Sequence, residues 1–145
     1  MSTADEYDLA RFVDAQRSTF ECALAELCGG RKRSHWMWYV FPQLLGLGHS
    51  PTSRQYGIRD AEEAKAYLEH PLLGPRLVEC AAAVLEIDGR SAYEIFGSPD
   101  DLKLHSSATL FARVSAPGSV FSALLAKYFG GTEDEQTLRL LGIHR

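Results

Sequence analysis

The feature that most constrains this chain is the punctuation between its apolar runs, because nearly every interruption carries the chemistry of a helix end. Asp60-Ala61-Glu62-Glu63 offers a side chain that can accept from the free amides of a first turn, with Glu63 placed to reach back to the cap. Ser91-Ala92-Tyr93-Glu94 repeats that pattern, and Ser98-Pro99-Asp100-Asp101 adds a proline at the first helical position and two carboxylates at the positive end of the dipole. Gly29-Gly30 and Gly130-Gly131 read as stops and Pro71 as a breaker. Between them, apolar residues recur at three- and four-residue intervals. Leu9, Phe12, Phe20, Ala23 and Leu27 describe one helix, or two joined near Ser18, from about Asp8 to Cys28. Further helices are expected from Asp60 to about Glu69, over Leu72 to Leu85, from Ser91 to Gly97, from Ser98 to about Val114, over Val120 to Phe129 and from about Glu133 to Leu141. Runs of alternating apolar and polar residues flanking a tight Gly turn are missing. The expected fold is all-α: a compact single-domain bundle of about six to eight short helices over residues 8–145, preceded by a flexible N-terminus, Met1–Tyr7.

Composition narrows the class further. At 145 residues, with 46% hydrophobic and 23% charged, the chain suits one core. A net charge of -4 makes nucleic acid an unlikely partner, and Arg31-Lys32-Arg33 is better read as a solvated helix-end cluster. No stretch approaches the ~18 apolar residues that span a bilayer, and the polar start is unlike a signal peptide, so no membrane association and a cytoplasmic location are expected. Cys22, Cys28 and Cys80 form no paired motif and read as reduced thiols. The five histidines never fall at ligand spacing, so no metal and no cofactor is expected.

Three segments carry residues in search of a role. His35-Trp36-Met37-Trp38-Tyr39-Val40-Phe41-Pro42-Gln43 concentrates aromatics that could be a core wedge or a platform for a planar ligand, with His35 and Gln43 as polar ends. Gly46-Leu47-Gly48-His49-Ser50-Pro51-Thr52-Ser53 reads as a tight turn into a capped helix; its amides near Ser53, with Arg54 or Tyr56, form a generic seat for an anion. Lys103 to Phe111 gathers Lys103, Ser106, Ser107 and Thr109 on a helix. The hydroxyls either bond back to the preceding turn where helices approach closely, or form a polar pocket wall with Lys103 as its cation. Asp100 and Asp101 are read as helix-start carboxylates.

These three segments, with Asp8 to Phe12 and Tyr128-Phe129-Gly130-Gly131, resemble a bacterial family known as domain of unknown function 1810 over about Tyr7 to Leu141. The resemblance implies a mainly helical domain and no activity; the calpastatin label some members carry does not suit a chain with this many core residues. Two functional readings remain. In the first, a small-molecule site for a nucleotide-like or phosphorylated ligand is built from Trp36, Trp38, Gln43, Ser53, Arg54, Tyr56, Lys103, Ser106, Ser107 and Thr109, with His35 the first choice for proton transfer if there is catalysis. In the second, the chain is a non-catalytic interaction or structural module. A homo-oligomer is compatible with both. The first reading requires the His35, Ser53 and Lys103 regions to meet at one solvent-reachable cavity.

Overall fold

The computed structural model describes residues 6–143, among which ten helices follow one another. They are α1 (Ala10–Gln16), α2 (Phe20–Cys28), α3 (Met37–Val40), α4 (Pro51–Gln55), α5 (Ala61–Glu69), α6 (Leu73–Leu85), α7 (Ala92–Phe96), α8 (Asp100–Arg113), α9 (Val120–Phe129) and α10 (Glu135–Leu140). The all-α class holds, and the expected six to eight helices are corrected to ten. The N-terminal run is broken at Thr19, whose hydroxyl donates to the Ala15 carbonyl (2.8 Å) instead of continuing the helix. The aromatic run also forms a single turn of its own, too short to show a period. Leu44 and Ile58 form an isolated parallel bridge, fastened by Ile58 N–H to the Gln43 carbonyl (2.9 Å) and Leu45 N–H to the Ile58 carbonyl (2.8 Å). Such a bridge is below the length at which alternation is visible. Of the expected flexible N-terminus, residues 1–5 lie outside the described residues, as does His144; Tyr7 packs beneath the Arg59 guanidinium at 4.9 Å.

Cap chemistry accounts for most boundaries. Ser91 and Glu94 form a complete capping box on α7, and Ser50, Ser119 and Asp134 accept from the third residue of α4, α9 and α10. Asp60 caps α5, but the Glu63 carboxylate accepts from Arg59 N–H (2.9 Å), one residue before the cap. Pro99 occupies the cap position of α8 and not the first helical one, behind a cis Ser98–Pro99 peptide, and Ser98 does not cap it.

α8 is the central rod. Leu104 and every residue from Ser106 to Phe111 are buried, so it has no solvent face through its middle, and α5, α7, α9 and α10 pack around it. α6 packs on α2, α5 and α9, so α5 and α9 join the two long helices. Phe12, Tyr67, Phe111 and Phe121 run through the core with successive ring centroids 5.1, 5.5 and 5.6 Å apart. The buried Glu63 carboxylate accepts from Arg11 (2.8 Å), whose guanidinium also donates to the carbonyls of Gln55 (2.8 Å) and Gly57 (3.0 Å). That fastens α1 to the loop ahead of α5.

α5 and α6 are joined so tightly that a Cβ at Gly74 would collide with the Leu68 carbonyl oxygen, which is backbone and cannot step aside. Gly74→Ala should therefore destabilise the protein by about 3 kcal/mol despite the better helix propensity of alanine, a loss visible in urea melts. An unchanged midpoint would mean that the α5–α6 corner is looser than this geometry.

Candidate functional site

The loop between α2 and α3 has no regular structure, and a single side-chain acceptor shapes its second half. Glu26, on α2, takes the amides of Arg33 (2.8 Å) and Ser34 (3.0 Å) and the Trp36 indole N–H (2.8 Å) on Oε1. Its Oε2 takes the Ser34 hydroxyl and the Cys22 thiol (3.2 Å). Burial alone pushes the Glu26 carboxyl up, but hydrogen bonds from Ser34, the Arg33 and Ser34 amides and Trp36 outweigh it and bring it down to about 2. Lys32 N–H donates to the Ile95 carbonyl (2.8 Å), tying the same loop to α7.

This pinned loop places Lys32 beside the start of α8. The Lys32 ammonium meets Asp100 Oδ2 at 2.8 Å and the Lys103 ammonium meets Asp100 Oδ1 at 3.0 Å, so two cations share one carboxylate. The three side chains are only 7%, 17% and 18% exposed for Lys32, Asp100 and Lys103. Burial raises the Asp100 carboxyl, yet the two lysines outweigh it and hold it below the usual range. Each lysine also lies on an indole: Lys32 Nζ is 5.1 Å from the Trp36 ring centroid and Lys103 Nζ 3.9 Å from that of Trp38. Trp38 is in turn wedged against the turn before α4. A Cβ at Gly48 would stand 3.2 Å from Trp38 Cη2 and 2.8 Å from Ser53 Cβ, so only glycine fits there.

An open hollow of about 290 Å³ lies over this cluster, lined by Lys32, His35, Trp36, Trp38 and Tyr39 with Thr52, Asp100 and Lys103. The three unusual segments therefore meet at one place, through His35, Thr52 and Lys103. Their individual residues divide. Of the two alternatives for the aromatic run, core wedge or stacking platform, Trp36 takes the first as a core residue, 1% exposed, and one face of Trp38 is taken by an ammonium, so both rings seat lysines. Gln43 is buried beside the Leu44–Ile58 bridge, and Ser107 is buried within α8. Ser53 is buried with its amide held by the Ser50 hydroxyl (3.1 Å), which fills the expected anion seat with the chain's own cap. Arg54 donates to the His49 carbonyl (2.6 Å), and Tyr56 packs on Phe12 and Tyr39. Ser106 and Thr109 bond back to the carbonyls of Leu102 (3.2 Å) and His105 (2.9 Å) and also receive α10: Ser106 donates to Asp134 (3.4 Å), and Asp134 N–H donates to Thr109 (2.9 Å). They hold the C-terminal helix and do not line the hollow. His35 is exposed at the rim, and among the described residues no hydrogen bond orients its ring, which a general base requires.

Sequence reasoning passed over Glu26, gave Thr52 only a backbone role, read Asp100 only as a helix-start carboxylate, and placed Lys32 in a solvated helix-end cluster, which is corrected by its burial against Asp100. The Asp100–Lys103 pair was readable from its i, i+3 spacing. Lys32 had no local signal, because its partner lies on a distant helix. Among the described residues, no helix is long and apolar enough to cross a membrane.

The Glu26 network has a definite pH signature. Its folded value lies below the ordinary 4.5, so its stabilisation is complete above that pH and is lost as the pH falls toward about 2. Acid unfolding followed by tryptophan fluorescence should show Trp36 released within that window. Glu26→Gln should cost about 1–3 kcal/mol at neutral pH and flatten that limb of the profile. A variant whose acid limb matches the parent would remove Glu26 from control of the loop.

Comparison with known proteins places the whole chain. A family model described as "Protein of unknown function (DUF1810)" matches residues 6–141. The crystal structure of the conserved hypothetical protein Rv1873 from Mycobacterium tuberculosis superposes with a TM-score of 0.94 at 58% identity, covering 97% of this chain and 100% of that one. Among curated proteins, none matches the sequence. The match along nearly the full length establishes that the chain belongs to the DUF1810 family.

Proposed function

We propose that this protein binds a small anionic molecule, bearing a phosphate or carboxylate, in the hollow over Lys32, Asp100 and Lys103. The observation that carries the reading is the charge count: two part-buried ammonium groups share a single carboxylate, leaving one positive charge at an open mouth. In a partly desolvated site that charge acts over short range with less screening than on a free surface. The indoles restrain both lysines, so little side-chain entropy is lost when an anion arrives. Thr52 adds a hydroxyl at the rim. The arrangement supports binding before catalysis, because His35 has no orienting partner among the described residues.

Asp100→Asn tests this directly. It removes the shared counter-ion, so the variant should melt below the parent in chloride buffer. Inorganic phosphate should then raise its midpoint more than it raises the parent's, because two unpaired ammonium groups now face the hollow. A ligand at ~100 times its dissociation constant adds about 2.7 kcal/mol, a shift of several degrees. Lys103→Ala should lower parent stability by only about 1 kcal/mol, since Lys32 still holds Asp100, while reducing the phosphate-induced shift well below the parent's. Equal phosphate shifts in the parent, Asp100→Asn and Lys103→Ala would reject the anion site and favour a protein-interaction module.

A further inference from the structure

A second hollow, of about 400 Å³, lies on the other side of Lys32, which lines both. Its walls are Arg31 and Lys32 from the α2–α3 loop, Arg90 from the segment before α7, and Tyr93 and Glu94 from α7. Arg90 reaches this loop directly: its Nε lies 3.8 Å from where a Cβ on Gly30 would stand. Tyr93 is 63% exposed beside them. Of the acidic groups nearby, Glu94 lines this hollow itself and the others are paired or line a separate depression. Glu94 Oε1 accepts from Ser91 N–H (2.8 Å) in the α7 capping box, and Asp100 is held by the two lysines. Glu86 and Asp88 line a separate depression on the far side of Arg90, and Asp88 meets Lys127 at 3.6 Å. Among the described residues, neither the Arg31 nor the Arg90 guanidinium has an ion-pair partner. Two planar forks beside Lys32, whose ammonium is itself held by Asp100 and the Ser34 carbonyl (2.6 Å), suit the several acceptor oxygens of a phosphate group.

We infer that the Arg31–Arg90 hollow is a phosphate subsite continuous, across Lys32, with the anion site beside Trp38, so that the ligand is an elongated phosphorylated molecule with two anionic groups. This rests on the proposed anion site and extends it. One ligand then engages both hollows, and weakening either lowers the affinity for the whole.

The test uses inorganic phosphate and inorganic tripolyphosphate as probes, titrated at two salt concentrations. Tryptophan fluorescence reports the first hollow, and the side-chain Nε–H NMR signals of Arg31 and Arg90 report the second. Tripolyphosphate should saturate both signals together and bind at least about tenfold tighter than phosphate. Arg31→Gln with Arg90→Gln should abolish that advantage and leave the phosphate response at Trp38 intact. Lys103→Gln should lose the fluorescence response and weaken tripolyphosphate while the arginine signals still move. Unchanged tripolyphosphate affinity in the double arginine variant would overturn the subsite and leave the Trp38 site standing. Loss confined to the arginine variant, with Lys103→Gln matching the parent throughout, would overturn the anion site and with it the shared ligand. Tighter binding of a single-stranded oligonucleotide than of tripolyphosphate would overturn the small-molecule reading in favour of a nucleic-acid surface.

Discussion

The geometry of the site depends on one carboxylate. Glu26 is an acceptor with no donor of its own when ionised, and it meets two backbone amides, a hydroxyl, a thiol and an indole N–H. The amides of Gly29 to Lys32 find backbone carbonyls, but without Glu26 those of Arg33 and Ser34 would lose their acceptor in a segment that belongs to no helix. Because charge-assisted hydrogen bonds are roughly twice as strong as neutral ones, this acceptor can order a loop that its own sequence does not. The consequences run outward. Ordering the loop buries Trp36, sets Lys32 against Asp100, and through the Ile95 carbonyl links α2 to α7 and so to the head of α8.

The helices were legible because the residues that end a helix act within one turn of themselves. Ser50, Asp60, Ser91 and Ser119 each cap as local chemistry dictates, and Gly130 ends α9 in the left-handed conformation with φ 63°. The count was less legible: the break near Ser18, one of two alternatives in the sequence, falls at Thr19, whose hydroxyl bonds back to Ala15, and α3 is a single turn too short to show a period. Pro99 shows the same limit, because its place relative to the first turn is set by how α7 delivers the chain to α8.

The site was half legible for a related reason. His35, Trp38 and Lys103 attract attention as residue types out of place, and they do meet. Ser106 and Thr109 attract the same attention and meet α10 instead. A hydroxyl on a helix can bond back, join a neighbouring helix or line a cavity, and the choice depends on which element covers that face. Ser53 fails for the converse reason: the cap that predicts a helix start consumes the amide the anion reading needed. Lys32 and Asp100 are ordinary charges in sequence, and their meaning exists only after the loop has been folded onto α8.

On the proposed reading, the two lysines around Asp100 serve binding at some cost in stability. Holding two ammonium groups near one carboxylate sets a repulsion against two attractions, in a place where each cation has lost part of its hydration. Cation–π contacts of about 0.5–2 kcal/mol soften that cost without removing the charge. A site selected for stability alone would be served by one lysine, or by an apolar residue in the place of Lys103. Keeping Lys103 on the face of Trp38, above an open hollow, leaves a positive charge whose unfavourable environment improves when an anion arrives. On the proposed reading the same logic applies across Lys32 at Arg31 and Arg90, which line a hollow where one oxygen of its carboxylate, Glu94, is engaged in a helix cap.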